Sequence, residues 1–364
     1  MASNNSVKIQ EVTKVTPSFH LTTDFSLPLT FFDIFWFRFP PVERLYFYQI
    51  NNLTPHFFNS IILPKLKQSL SPFFNRNLLR PQETPKLAIH YFQNDGVSLT
   101  VAESNADFNY LSGNGAREAA EFHSFIPQLS VSDDKAALDV FAKRRSGFQL
   151  CPSHFELSRE DIKKLRVKVQ EVKKSEQLHL STFVLTYAYA IVCITKSKRE
   201  EEGNTNTKLI FGFTADYRTR LEPPIPGNYF GNCVGPHAAI AEVKDIKKED
   251  GVSFVAEKLS ELIKELEKGS VLGGTGEKLA ELIKMMKQWV RAIVVAGPPM
   301  FEVYGSDFGW DRPKKVEIVS TGKTGSISMA ESRDGSGGVE VGVALEKQEM
   351  EIFASLFVDG LKHV

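Results

Sequence analysis

The stretch Tyr304-Gly-Ser-Asp-Phe-Gly-Trp-Asp-Arg-Pro-Lys314 places an acidic residue between two glycines and follows it with two large aromatic side chains. Glycine permits backbone angles and close approaches that a Cβ would block. Phe308 and Trp310 need an apolar packing surface, and Asp307 needs a cationic partner if it is buried. Composition alone favours a tight turn with buried aromatic residues. A functional interpretation of this stretch therefore depends on other motifs in the chain.

Two other motifs precede this stretch in a fixed order. Residues 215–221 read Ala-Asp-Tyr-Arg-Thr-Arg-Leu and are followed by Pro223-Pro224 and by Tyr-Phe-Gly-Asn at 229–232. Nearer the N-terminus, Leu-Pro-Leu-Thr-Phe-Phe-Asp at 27–33 precedes Phe-Pro-Pro-Val-Glu-Arg-Leu at 39–45. With Asp-Phe-Gly-Trp, these motifs resemble those of the plant BAHD acyl-CoA-dependent acyltransferases, in the form seen in anthocyanin and flavonoid glucoside malonyltransferases.

The order and spacing of the three motifs make the resemblance specific, and it extends over most of the chain. It implies a mixed α/β fold of two chloramphenicol-acetyltransferase-like lobes, with the active site in a channel between them. We expect the first lobe over residues 1–147 and the second lobe, which carries the Asp307–Trp310 motif, over residues 148–364.

Composition limits the partners that the chain can have. The sequence has 44 basic and 44 acidic side chains among 364 residues, so no net charge attracts nucleic acid or a membrane surface. Three cysteines imply no disulfide framework and fit a reducing compartment. The N-terminus lacks the apolar core of a signal peptide. Neither a phosphate-binding P-loop motif nor a recognisable metal-ligand spacing occurs. We therefore expect a cytoplasmic monomer without a metal.

Helical and strand patterns alternate along the chain. Strict alternation predicts a strand at 7–15, and Asp95-Gly96 predicts a hairpin that joins strands at 87–92 and 97–102. The other predicted helices lie at 51–70 with a break at Pro64, within 155–174 after the N-cap Ser158, and at 180–197, 253–268, 278–295 and 347–363. The other predicted strands lie at the start of 155–174 and at 208–216, 238–243, 315–320, 326–331 and 338–345.

The catalytic base of the resembled family has no counterpart at its usual place. That base is the first residue of an H-x-x-x-D-G motif between the hairpin region and the second lobe. Here Val131–Ala137, which is similar to the approach to the motif, is followed closely by Phe148–Ser158, which is similar to the start of the second lobe. A smaller deletion falls near Phe74–Leu79. We therefore expect an internally truncated first lobe that lacks the motif strand, the histidine, a helix and a crossover loop.

Two histidines are candidates for a displaced base. Only His20 is followed by an aspartate four residues later, in His20-Leu-Thr-Thr-Asp24, although Phe25 stands where the motif has glycine. His154 lies at the junction of the two predicted lobes, and its sequence neighbours offer no orienting group. A structural or surface role is the alternative for each.

Other family roles carry over by resemblance. Asp307 matches a residue that is not the base but pairs with an arginine and holds the loop of Phe308, Gly309 and Trp310 in shape, and Arg218 is the matching arginine. Asp311 stands where the family has a glycine, which leaves the backbone geometry of this loop open.

Three residues match family positions that line the acyl-CoA site. Asn232 ends the Tyr-Phe-Gly-Asn motif, and Ser181 and Thr182 match a segment of the malonyltransferase-like members that contacts CoA. Capping of a helix N-terminus is the alternative for Ser181 and Thr182.

Two hypotheses from different classes follow. The first is an acyl-CoA-dependent O-acyltransferase that transfers an acyl group, by resemblance malonyl from malonyl-CoA, to a sugar hydroxyl of a flavonoid or phenolic glucoside. The second is a catalytically inactive relative or truncated product that binds at most CoA, a phenolic ligand or a protein partner. The truncation also predicts exposed apolar surface around Phe57-Phe58 and Phe73-Phe74, and hence aggregation.

Overall fold

One apolar helix, Thr182–Ser197, forms the centre of the main core, and nearly all of its residues from Val184 onward are buried. Ser181 caps its N-terminus, because the serine Oγ accepts a hydrogen bond from the Val184 amide. The buried Tyr187 hydroxyl lies 2.7 Å from the carbonyl oxygen of Gly212 and 2.9 Å from that of Ile293. One side chain of the helix therefore contacts two strands of the main sheet. The buried helix predicted at 180–197 is confirmed.

The computed structural model describes the chain in fifteen segments. They are residues 6–16, 25–36, 41–74, 80–82, 88–91, 95–115, 117–127, 150–174, 178–199, 207–227, 229, 231–268, 291–297, 302–321 and 326–362.

Short elements make up the first part of the chain. In order they are β1 (Val7–Val15), β2 (Phe25–Pro28), α1 (Phe31–Trp36), β3 (Arg44–Phe47), α2 (Pro55–Phe57), a π-helical turn (Phe58–Ile62), α3 (Leu63–Phe74), β4 (Arg80–Gln82), β5 (Ala88–Tyr91), β6 (Val97–Ser104), α4 (Phe108–Ser112) and α5 (Ala119–His123).

The second part carries the longer elements. They are β7 (Leu150–Leu157), α6 (Arg159–Lys173), α7 (Thr182–Ser197), β8 (Lys208–Asp216), β9 (Val234–Glu242), α8 (Val243–Ile246), α9 (Gly251–Lys268), β10 (Arg291–Ala296), a 3-10 turn (Val303–Gly305), β11 (Lys315–Ile318), β12 (Ile327–Glu331), β13 (Val339–Glu346) and α10 (Lys347–Lys362).

The main sheet is mixed and has the strand order β7-β13-β12-β10-β8-β9. Strand β10 runs parallel to both β8 and β12, whereas the other neighbouring pairs are antiparallel. Helices α6, α7, α9 and α10 contribute the apolar side chains that cover this sheet and form the largest core cluster. This arrangement confirms the predicted mixed α/β class.

Three smaller sheets involve the first part of the chain. One pairs β1 with β6, and another has the order β2-β5-β4. The third pairs β3 with β11 in antiparallel register, with Arg44 opposite Ile318 and Phe47 opposite Lys315. Because β11 follows the Asp307–Trp310 stretch directly, this pairing holds that stretch beside the N-terminal part of the chain.

Two predictions about these elements were wrong. The predicted hairpin does not form: both strands exist, but β5 pairs with β2 and β4 while β6 pairs with β1. The predicted helix over 278–295 cannot reach its end, because residues 291–296 form β10. The rest of that prediction lies outside the described residues. Long-range pairing overrides the local turn and helix signals at both places.

The helix predicted over 51–70 is not broken at Pro64: its irregularity is a π-helical turn at Phe58–Ile62, and α3 contains the proline. Proline has no backbone N–H, so Pro64 removes one hydrogen bond of the helical ladder. The turn at Phe58–Ile62 ends two residues before Pro64, and α3 then continues from Leu63 to Phe74. Among all described helices, none has both the length and the apolar character needed to span a lipid bilayer.

Candidate active site

The loop that carries the Asp-Phe-Gly-Trp motif, residues 305–314, is closed at its base by hydrogen bonds. The Val316 amide donates to the Tyr304 hydroxyl at 3.3 Å, and that hydroxyl donates to Glu340 Oε1 at 3.0 Å. The Tyr304 amide donates to Glu331 Oε1 at 2.6 Å. The buried Tyr304 side chain therefore joins the two ends of the loop and connects them to β12 and β13.

Asp307 shapes this loop from within. Its Oδ1 accepts hydrogen bonds from the amides of Gly309 at 2.6 Å and Trp310 at 3.1 Å, an arrangement typical of aspartate in a tight turn. Gly309 has a φ of 86°, and Asp311 has a φ of 76° where the resembled family has glycine. The loop thus adopts a left-handed backbone at Asp311 despite the side chain.

An N-terminal tyrosine supports the loop from outside. The Tyr48 hydroxyl donates to the Ser306 carbonyl at 3.0 Å, and the Tyr48 ring lies 5.7 Å from the Phe308 ring and 6.3 Å from the Trp310 ring. Burial, together with the nearby Tyr46 and Asp307, raises the pKa of Tyr48 to about 12. The phenol therefore stays a hydrogen-bond donor throughout the neutral range. No sequence motif pointed to Tyr48.

The predicted pair between Arg218 and Asp307 is not formed, and this expectation is corrected. Arg218 Nη1 pairs with Asp216 Oδ1 at 2.9 Å, while its Nε and Nη2 donate to the carbonyls of Tyr229 at 3.0 Å and Gly231 at 2.9 Å. The guanidinium fork has five donors, and here it fits two carbonyl groups and a local carboxylate. Arg218 thus folds the 216–232 segment onto itself and leaves Asp307 to its own turn.

Asn232 connects this segment to the N-terminal motif. Its amide nitrogen donates to Asp33 Oδ1 at 2.9 Å, while Asp33 Oδ2 accepts from the backbone and hydroxyl of Thr30. The Trp36 indole donates to the Val234 carbonyl at 3.0 Å. Sequence reasoning missed the role of Asp33, although the Thr30-x-x-Asp33 spacing is a helix-capping pattern that could have indicated it.

Ser181 and Thr182 lie at the N-terminal end of the buried helix α7. The capping alternative holds for Ser181, whose Oγ is 3.3 Å from the Val184 amide. Both side chains are partly exposed, and the positive end of a 16-residue helix dipole lies beside them. This end is suited to an anionic group, so capping and ligand contact are compatible here.

The side chain of His154 is held between two carboxylates. It is only 5% exposed, with Nε2 2.8 Å from Glu317 Oε2 and Nδ1 2.7 Å from Glu340 Oε1, the latter at an angle poorer than that of a hydrogen bond. Burial lowers the pKa of His154, but the two carboxylates outweigh burial, so the net pKa is raised. A base must be accessible and unprotonated. These contacts therefore argue against His154 as the base.

His20 lies outside the described residues, as does the segment 128–149 that precedes the predicted second lobe. Within the described part of the chain, no group of three or more His, Cys, Asp or Glu side chains could hold a metal ion.

Comparison with known proteins identifies the family. A profile described as the Transferase family matches residues 151–359, which is more than half of the chain and coincides with the second predicted lobe. Over 461 aligned positions, the chain is 33% identical to the malonyl-CoA:anthocyanidin 5-O-glucoside-6''-O-malonyltransferase of Arabidopsis thaliana, with 99% of each chain covered. It is also 33% identical to phenolic glucoside malonyltransferase 2 of the same plant, covering 96% of this chain and 98% of the relative.

The alignment is longer than this chain. It extends over 461 positions, whereas this chain has 364 residues, so many positions of the relative have no counterpart here. Among solved structures, vinorine synthase superposes with a TM-score of 0.69 at 14% identity, covering 97% of this chain and 98% of the other. That likeness confirms the fold of two chloramphenicol-acetyltransferase-like lobes. The chain belongs to the BAHD family of acyltransferases, whose members use an acyl-CoA as co-substrate.

Proposed function

We propose that this chain transfers a malonyl group from malonyl-CoA to a sugar hydroxyl of a phenolic or flavonoid glucoside. The observation that carries the proposal is the 33% identity, over nearly the whole chain, to two malonyltransferases that act on glucosides. In this reaction the hydroxyl oxygen attacks the thioester carbonyl, a base takes the hydroxyl proton, and the C–S bond breaks to release CoA.

The proposed acyl-CoA contacts are Ser181, Thr182 and Asn232. The first two lie at the positive end of helix α7, where backbone N–H groups and the helix dipole favour phosphate groups. Asn232 is exposed and belongs to the segment that Arg218 folds. In this proposal the 305–314 loop lines the site and does not supply the catalytic base.

The base in this proposal is His20, the one histidine that keeps the H-x-x-x-D spacing. General-base catalysis is worth about 10² to 10⁴ in rate, so loss of the base should be easy to detect. We also propose that the chain acts as a monomer in the cytoplasm. The free state of Cys151, Cys193 and Cys233 supports the reducing compartment.

A second candidate function is binding of acyl-CoA and a phenolic ligand without transfer. The contacts of His154 favour it, because the histidine at the junction of the predicted lobes is enclosed by Glu317 and Glu340. The many positions of the first relative that have no counterpart here also favour it.

The test is release of CoA from malonyl-CoA in the presence of a panel of phenolic and flavonoid glucosides. His20→Ala is compared with the unsubstituted chain, and His56→Ala serves as the matched control because His56 is an exposed histidine on a short helix. Turnover that falls at least a hundredfold in His20→Ala but not in the control supports transfer with His20 as the base.

The other outcomes separate the two candidates. Turnover that is equal in all three proteins supports transfer but excludes His20 as the base. An absence of turnover, with malonyl-CoA binding still measurable by calorimetry, supports the binding function. Absence of both turnover and binding contradicts both candidates.

A further inference from the structure

A buried charged cluster lies behind the 305–314 loop and is not explained by the proposed reaction. We define it as His154 of β7, Lys315 and Glu317 of β11, Arg333 of the turn after β12, and Glu340 of β13. The side chains of His154, Glu317 and Lys315 are at most 5% exposed. Burying a charged side chain costs free energy unless an opposite charge or a hydrogen bond compensates it, so the pairing within this cluster matters for its stability.

His154 occupies the centre of this cluster. Its two ring nitrogens face Glu317 and Glu340, at 2.8 and 2.7 Å. Lys315 Nζ lies 3.0 Å from Glu317 Oε2, and Arg333 Nε lies 2.6 Å from Glu340 Oε2. The imidazole therefore joins two separate ion pairs into one network.

Two more cationic side chains lie around the cluster. Arg117, which precedes α5, interacts electrostatically with Glu317, and Arg44 of β3 lines a small cavity together with His154 and Glu340. Ser328 of β12 also lies close, because a Cβ on Gly342 would contact both its hydroxyl and the His154 ring.

Both ends of the 305–314 loop attach to the carboxylates that flank His154. At the first end, the Tyr304 hydroxyl donates to Glu340. At the second end, Lys315 and Glu317 directly follow the loop, and Glu317 contacts His154. The imidazole ring of His154 is thus placed between the two attachment points.

We propose that His154 is a positioning residue for the 305–314 loop: as an imidazolium it bridges Glu317 and Glu340 and thereby fixes both ends of the loop. When the ring loses one proton, a nitrogen lone pair faces a carboxylate at ion-pair distance. The bridge then becomes repulsive on one side, and the loop ends are held less firmly. This role does not depend on the proposed transfer reaction.

The direction of the pH dependence follows from the environment of His154. Burial lowers its pKa, but contact with Glu317 and Glu340 raises it more, so the folded-state pKa lies above the usual value for histidine, about 6.5. A group with a raised pKa contributes its full stabilisation below the unfolded-state pKa and loses it as the pH rises through the folded-state value. The loop should therefore be fixed at pH 6 and loosen on the alkaline side.

The experiment follows Trp310 by ¹⁹F NMR after labelling of the full chain with 5-fluorotryptophan. The chain has three tryptophans, and Trp310→Phe identifies the signal. In parallel, ¹³C-labelled histidine reports the titration of His154, whose signal is identified by its loss in His154→Asn. We expect the Trp310 signal to shift in a single one-proton transition above pH 6.5, with the same midpoint as the His154 titration.

Two variants complete the test. In His154→Asn the Trp310 transition should vanish, whereas in His56→Asn, which removes an exposed imidazole, it should remain. A Trp310 signal that is constant from pH 6 to 9.5 would overturn the proposal, as would an unchanged transition in His154→Asn. If His154→Asn does not fold, the other histidine signals are assigned from single variants, and a Trp310 midpoint that differs from the His154 titration overturns it.

Discussion

At the scale of single residues, the motifs identified side chains correctly but did not identify their partners. Asp307 and Arg218 both stabilise loops, yet each does so within its own segment. The sequence could indicate these residues because their types and spacing resemble a family pattern. It could not give the pairing, because a guanidinium can be satisfied by carbonyl groups as well as by a carboxylate.

The turn geometry of Asp307 leads to a prediction that separates its role as a hydrogen-bond acceptor from a role of its negative charge. Asp307→Asn keeps the Oδ1 acceptor, so the free energy of unfolding should change by less than about 0.5 kcal/mol. Asp307→Ala removes both hydrogen bonds and should cost about 1–2 kcal/mol. Urea denaturation monitored by fluorescence measures both values.

Asp311→Asn is the matched control for this pair, because it removes one negative charge at an exposed neighbouring position without removing the turn acceptor. If Asp307→Asn costs as much as Asp307→Ala, the negative charge of Asp307 and not its turn acceptor stabilises the loop, which would contradict the turn geometry as its source of stability.

At the scale of helices and strands, local sequence patterns predicted an element correctly where it is long and a capping residue marks its end. Ser158 caps α6 as predicted, and the apolar run after Ser181 is the buried helix α7. The predicted hairpin does not form, because Asp95-Gly96 is only a local turn signal and β5 and β6 each pair with other strands. Strand pairing depends on contacts between distant residues, which no single turn can specify.

The two capped helices provide a prediction about the acyl-CoA site. Ser181→Ala and Ser158→Ala each remove an N-cap and should each cost about 1 kcal/mol in the free energy of unfolding. Only Ser181 belongs to the proposed site, so only Ser181→Ala should also weaken malonyl-CoA binding, by about fivefold. Calorimetric titration measures the affinity, and equal weakening in both variants would show that stability, not contact, is responsible.

At the scale of the whole molecule, N-terminal segments are attached to the second half of the chain by several separate contacts. Strand β3 pairs with β11, Asp33 binds Asn232, and Tyr48 supports the Ser306 carbonyl. Sequence patterns predicted the mixed α/β class and the main elements of the second half. They could not predict these attachments, because each joins residues about 200 or more positions apart, with no local signature.

The predicted exposure of apolar side chains is confirmed at Phe57, whereas Phe58 is only partly exposed and the side chains of Phe73 and Phe74 lie outside the described part of the structure. The exposed surface has a measurable consequence. Leu53, Phe57 and Ile61 are 49%, 40% and 41% exposed and lie four residues apart. Contiguous apolar surface promotes association. The chain should therefore aggregate at high concentration, and Phe57→Gln combined with Ile61→Gln should reduce light scattering.

Val167→Gln combined with Val172→Gln is the matched control, since these residues are similarly exposed, at 53% and 47%, on a different helix. It should leave the aggregation unchanged. A chain that sediments as a single monomer at every concentration would contradict the prediction. An equal reduction of light scattering by both double variants would also contradict it.

Calorimetric titration of the full chain with malonyl-CoA, followed by the same titration with free phosphate, shows most directly whether the chain has an acyl-CoA site. We expect saturable binding of malonyl-CoA at one site, with a higher midpoint of thermal unfolding in its presence. This result would show that the second half of the chain retains the acyl-CoA site of its family, whether or not transfer follows. A titration without saturable heat, and without thermal stabilisation, would contradict the account.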